Sequence, residues 1–209
     1  MIINFENSSN FARNLYEFNE KQEKLEKIAL ENRIPIITRE VLKYMVFLAE
    51  NIKAKNILEI GTATGFSGIF LAEICKKNNG KLTTIEIDQE RYLKANENFK
   101  EFKLSEYINN IHDDAMNVLP NMTEKFDFIF IDASKSKYED FYNHSYSLLR
   151  EGGIIFIDNI MFRGYVAEDD VPKKYKTMVR NLKKFINYLN DKYNFTLLPF
   201  GDGVGIVIK

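Results

Sequence analysis

From residue 54 to the end, short β-branched or aromatic runs alternate with longer stretches of helical spacing. Five such runs, "KNILEIG" (55 to 61), "KLTTIEID" (81 to 88), "YINNIHD" (107 to 113), "FDFIFID" (126 to 132) and "GGIIFID" (152 to 158), are each followed by a helical pattern. That order fits parallel strands joined by crossover helices. A long helix near 172 to 193 precedes two last runs, "FTLLPF" (195 to 200) and "GVGIVIK" (203 to 209). Only Gly201 and Asp202 link them, too little chain for a parallel crossover, so the sheet must end in an antiparallel hairpin. The expectation is a seven-stranded, mostly parallel α/β sheet over 54–209.

Residues 1–53 read as a helical extension packing on that core. Leu15, Phe18, Leu25 and Ile28 lie at helical spacing within 11 to 31, with Glu17/Lys21, Glu20/Lys24 and Glu23/Lys27 as i,i+4 pairs on a solvated face. Pro35 then forces Ile34 out of helical geometry, and a second helix runs to about Asn51. Such an extension suits a lid or a dimer element.

Lys plus Arg number 29 against 30 Asp plus Glu, so any attraction to nucleic acid must come from a local patch rather than from net charge. The single Cys75 cannot form an internal disulfide. "MIINFENSSN" lacks the basic start and apolar core of a signal peptide, and no apolar run reaches membrane-spanning length. These features lead to the expectation of a cytoplasmic protein without a membrane partner.

The chemistry gathers where the strands stop. In "EIGTATGFSG" (59 to 68) the glycines Gly61, Gly65 and Gly68 follow Glu59 at a strand-to-helix junction. The spacing is not the G-x-G-x-x-G of dinucleotide sites, and a glycine loop alone is most simply a tight turn. What raises its interest is Glu86 at the end of the second strand, where this architecture uses a carboxylate to accept hydrogen bonds from ribose hydroxyls; Asp88 competes for that role. The third strand closes on Asp114 and Ala115, suited to an adenine edge, the fourth on Asp132, and the fifth on Asp158 and Asn159. Any one of these acids serves equally well as a turn or helix cap. In register they line one crevice for a nucleoside cofactor without pyrophosphate, while five parallel strands followed by a hairpin point to a Rossmann-like methyltransferase core. His112, after a strand, and His144, on a helix, suit structural roles.

"EIGTATGFSG", "IEID", "FIDASK" and "IDNI" together resemble the cation-dependent O-methyltransferases that include the catechol and caffeoyl-CoA enzymes, over roughly residues 33 to 209. The resemblance implies a class I fold binding S-adenosylmethionine (SAM) and a divalent cation, normally Mg²⁺. It implies SAM contacts at Gly61, Ser67, Glu86, Asp114, Ala115 and Asp132, with Ile37 and the loop-leading Glu59 as further cofactor candidates. Asp132, Asp158 and Asn159 would be the metal ligands, and Lys135 the catalytic base. Two carboxylates and an amide suit a hard cation that keeps positions open for substrate. Lys135 competes with the reading of an ordinary solvated lysine, like Lys137. The resemblance also implies a homodimer.

"RIPI" (33 to 36), "DNIMFRGYVA" (158 to 167) and the C-terminal "LPFGDGVGIVIK" are similar to a bacterial branch that methylates 5-hydroxyuridine at the tRNA wobble position. Within the helix after Pro172, Tyr175, Met178, Val179, Leu182, Phe185, Ile186 and Leu189 form an apolar stripe. Lys173, Lys176, Arg180 and Lys184 occupy another face, widened by Lys174 and Lys183, with no acid from 173 to 184. Lys176 and Arg180, with Arg163 and Arg33, are therefore the candidate contacts to the anticodon region of tRNA. A solvated helix face explains the stripe almost as well. Two other readings stay open: a small-molecule, catechol-type O-methyltransferase, and a non-catalytic SAM- or nucleotide-binding protein.

Overall fold

Ile60, the last residue of the first strand, pairs with Ile85 on one side and Ile131 on the other. The computed structural model, which describes residues 5–209, arranges seven strands in the order β3-β2-β1-β4-β5-β7-β6. Residues 1–4 of the expected N-terminal extension lie outside the described residues. The strands are β1 (Asn56–Ile60), β2 (Lys81–Glu86), β3 (Ile108–His112), β4 (Phe126–Ile131), β5 (Leu149–Ile157), β6 (Asn194–Leu198) and β7 (Val204–Ile208). The first five are parallel; β7 runs antiparallel to both β5 and β6, as the short Gly201–Asp202 link requires. Connections leave β1 in opposite directions, which opens a crevice beyond the carboxyl ends of β1 and β4.

Helices cover both faces: α1 (Phe5–Asn14), α2 (Glu20–Glu31), α3 (Arg39–Asn51), α4 (Phe66–Lys77), α5 (Gln89–Glu101), α6 (Ala115–Val118), α7 (Tyr138–Leu148) and α8 (Lys176–Lys192). Alternate strand residues feed alternate cores. Phe128, Phe130 and Phe156 join Leu42, Met45, Phe66 and Phe70 on one face. Ile129, Ile131, Ile155 and Ile157 join Phe141, Tyr142, Leu182, Phe185 and Leu189 on the other. Burying each such side chain contributes about 2 kcal/mol. The apolar stripe of α8 is the one its spacing predicts, with Val179, Leu182, Phe185, Ile186 and Leu189 buried.

The N-terminal helix expected over 11 to 31 is instead two helices. Asn19 caps α2, its Oδ1 accepting from the amides of Lys21 and Gln22, while the Gln22 side chain accepts from the Asn19 amide. This reciprocal cap stops the periodicity that apolar spacing alone suggests. Leu15 is consequently 63% exposed, while Phe18 is buried against Phe66 and Phe70. Glu17 falls before the cap, and the ion pair formed within α2 is Lys27–Glu31. Forked pairs hold the helices down: Arg39 on Glu26 and Arg13 on Glu40. Among the described residues no helix is long and apolar enough to cross a membrane.

Candidate active site

A cavity of about 310 Å³ lies beyond the carboxyl ends of the parallel strands. Its walls include Ile37, Gly61, Ser67, Glu86, Asp114, Ala115, Asp132, Lys135 and Asn159, which sequence reading singled out, and Phe66, Ile87, Arg91, Lys137 and Phe141, which it did not.

Gly61 makes the closest approach in the first loop. Its φ is +102°, and a Cβ there would lie 2.1 Å from the carbonyl oxygen of Asp132, so only glycine lets the β1 and β4 ends close together. Glu86, 6% exposed, accepts from the amides of Ala63 at 2.7 Å and Asp88 at 2.9 Å. Two amides leave its carboxylate lone pairs to spare for hydroxyl groups. Asp88, the competing carboxylate, caps α5 through the Arg91 amide and is exposed. Asp114 caps α6 and stands 3.4 Å from Lys137 Nζ.

Glu59 does not line the cavity; it is fully buried beneath it. Its oxygens accept from the hydroxyls of Ser67 at 2.5 Å and Thr84 at 2.6 Å, joining β1, β2 and α4. Burial is the chief cause of a carboxyl pKa pushed up to about 7. The sequence signal for this role is a carboxylate inside an apolar strand, where only internal hydrogen bonds can satisfy it.

Ile131 and Ile157 are partners across β4 and β5, so the next residues, Asp132 and Asp158, emerge side by side. Lys135 Nζ donates to Asp132 Oδ1 at 3.0 Å and to Asn159 Oδ1 at 3.2 Å. The two oxygens therefore converge on one position held by a positive charge. Asp158 is 1% exposed and accepts the Asn159 amide at 2.7 Å. Burial first, then the neighbouring Asp132 charge, pushes its carboxyl up to about 8. A buried carboxylate beside a second one is a place that a cation stabilises. No group of three or more His, Cys, Asp or Glu suited to a metal occurs among the described residues. The donor set here is two carboxylates and an amide, which fits a hard dication in number, charge and softness.

Tyr138 is the residue sequence reading missed outright. It is buried, and its hydroxyl donates to the Asp158 carbonyl. Nothing in its spacing distinguishes it from the other ten tyrosines, 11 in all. His112 stacks on Tyr92 and lines no part of the cavity. Arg33, Arg163, Lys176 and Arg180 are exposed and outside the cavity wall. Arg33 adjoins the wall residues Pro35 to Ile37, and α8 packs against the turns at 135–137 and 165–167.

A family model described as O-methyltransferase matches residues 6–209. A caffeoyl-CoA O-methyltransferase of Petroselinum crispum is 31% identical over 176 residues, covering 78% of this chain and 71% of the relative. A catechol O-methyltransferase of Niastella koreensis is 35% identical over 132 residues, 61% of this chain and 59% of the relative. The crystal structure of an SAH-bound Podospora anserina methyltransferase superposes with a TM-score of 0.87, covering 100% of this chain and 97% of the other at 24% identity, a likeness of fold. With that fold in place and the family match running through every strand and helix that builds the cavity, the chain belongs to the O-methyltransferase family.

Proposed function

We propose that this O-methyltransferase uses SAM and a divalent cation, Mg²⁺, to methylate 5-hydroxyuridine at the wobble position of tRNA, giving 5-methoxyuridine. The observation that carries the reading is the convergence of Asp132 Oδ1 and Asn159 Oδ1 on Lys135 Nζ at the cavity wall, with the Asp158 carboxylate buried alongside. SAM binding to Glu86, Asp114 and the Gly61 loop is supported by their shared cavity and by the SAH-bound relative.

In this reading Asp132, Asp158 and Asn159 hold the cation. A bound dication lowers the pKa of a coordinated hydroxyl and orients it. Lys135 Nζ, in reach of both Asp132 Oδ1 and Asn159 Oδ1, would take the acceptor's proton. Glu86 holds ribose hydroxyls, and Ala115, at the start of α6, offers its backbone to the base edge. Phe66, Ile87 and Phe141 supply apolar wall that keeps water from the reacting groups. The basic face of α8, with Arg163 and Arg33, supports an RNA acceptor, because those cations are exposed and α8 packs against the turn bearing Lys135. The reading also takes the enzyme as a homodimer.

The test is nucleoside mass spectrometry after incubation with SAM, Mg²⁺ and hydroxyuridine-containing tRNA, with and without chelator. Methoxyuridine formed only with the metal is the expected result; none formed in either arm overturns the reading. The names of the Petroselinum and Niastella relatives favour a second reading, a small catechol-type acceptor. Methylation of a catechol with tRNA untouched selects it.

A further inference from the structure

Three aromatic rings meet where the chain leaving Asn159 passes the start of α8. Phe162 and Tyr175 stand edge to face with centroids 5.1 Å apart, Tyr165 and Tyr175 are 5.7 Å apart, and Phe162 and Tyr165 6.0 Å. All three are only partly buried. The hydroxyls of Tyr165 and Tyr175 have no hydrogen-bond partner among the described residues, unlike that of Tyr138. Phe162 packs on the core from one side, and the Tyr165 and Tyr175 hydroxyls stay accessible to solvent.

The surroundings are cationic. Lys174 Nζ lies 4.7 Å from the Tyr175 ring centroid, and Lys173, Lys176 and Arg180 are exposed along the same end of the helix. Arg163 projects from the turn between Phe162 and Gly164. Acids occur just upstream, at Glu168, Asp169 and Asp170, but none from Lys173 to Asn190. Phe162 and Arg163 both hold positive φ, 44° and 57°, and Asp202 fixes the turn by accepting the amides of Met161 and Gly164. The cluster thus begins three residues beyond the wall residue Asn159, outside the cavity wall itself.

We propose that Phe162, Tyr165 and Tyr175 form a stacking platform for unpaired bases of a single-stranded RNA segment, whose neighbouring nucleotide enters the cavity beside Asn159. The platform rests on the tRNA reading above and gives it a recognition element: single-stranded segments are held by bases stacked on aromatic rings with cations on the phosphates. Stacking on these rings is indifferent to salt, whereas the α8 cations carry the salt dependence.

The experiment measures binding of a labelled anticodon stem–loop by anisotropy to the wild type, to Tyr165→Leu/Tyr175→Leu and to Tyr165→Phe/Tyr175→Phe. SAM affinity serves as the control for folding. The expected result is a loss of about tenfold or more for the leucine pair with an unchanged salt slope, near wild-type binding for the phenylalanine pair, and unchanged SAM affinity. Ultraviolet cross-linking of the wild type to the same RNA needs no variant and should mark the peptides carrying Tyr165 or Tyr175. RNA binding that is insensitive to the leucine pair, or cross-links confined elsewhere, overturns the platform and leaves the tRNA reading intact. A wild type that binds no RNA overturns both. Catechol turnover that falls with the leucine pair assigns the rings to a small-molecule site and overturns the platform.

Discussion

Tyr138 donates its hydroxyl to the backbone carbonyl of Asp158 across 2.8 Å, and each residue is 1% exposed. The bond ties the turn bearing Lys135 to the strand end bearing Asp158, so base and ligands move together. Tyr138→Phe leaves that carbonyl unpaired in the interior. We expect a loss of about 1–2 kcal/mol in urea denaturation and weaker magnesium binding at unchanged SAM affinity. Wild-type stability and metal affinity would count against this tie.

Asp158→Ala should abolish turnover while SAM binding measured by calorimetry persists, since Asp158 lies outside the cofactor wall. An equal loss of SAM affinity would contradict the assignment of Asp158 to metal and acceptor.

The same carboxyl governs how stability responds to pH. Its pKa rises from an ordinary value near 3.8 to about 8 in the folded chain. Between those values the folded state keeps a proton that the unfolded state has released, so metal-free stability falls as pH rises from about 4 to 8. Glu59, raised to about 7, acts in the same direction. Asp158→Asn should flatten its share of the slope, and magnesium should do the same to the wild type. Thermal melts at several pH values, with and without the metal, check both; parallel curves would refute the buried-charge account.

Glu59→Leu removes the acceptor for two buried hydroxyls, those of Ser67 and Thr84. A loss of about 1–3 kcal/mol is expected, with weaker SAM binding as the Gly61 loop loosens, and Glu59→Gln should recover much of both. Denaturation and calorimetry on the pair of variants decide it, and a silent Glu59→Leu would rule the role out.

Replacing Lys176 and Arg180 together by alanine should weaken tRNA binding and reduce the slope of log K against log salt by about 2. Filter binding across a salt series measures it. An unchanged slope would remove α8 from the RNA surface.

The sheet was legible because β-branched runs such as "FDFIFID" have few alternatives, and because Gly201–Asp202 cannot span a crossover. Asp132 and Asp158 were legible for the same reason: each is the next residue on a neighbouring parallel strand. The N-terminal helices were not. Leu15 to Ile28 keep helical spacing straight through the break, and the Asn19–Gln22 cap that causes it is a local polar event invisible to apolar periodicity. Nor does a sequence distinguish Glu86, facing the cavity, from Glu59 beneath it, since both end or precede the end of a strand. Which donors surround each carboxylate, amides for Glu86 and hydroxyls for Glu59, is a matter of packing between β1, β2 and α4.

Strand β7 lies between β5 and β6, and the hairpin before it holds the segment after Asn159: the Ile160 amide donates to Gly203 and the Met161 amide to Asp202. A Cβ at Gly203 would sit 2.0 Å from Met161 Cγ, so the clasp tolerates no bulk. Because β7 follows the other six strands in chain order, the segment after Asn159 meets its clasp only once the strands before it have been made. The edge bearing Asn159 is therefore braced by chain that lies well downstream of the strands walling the cavity.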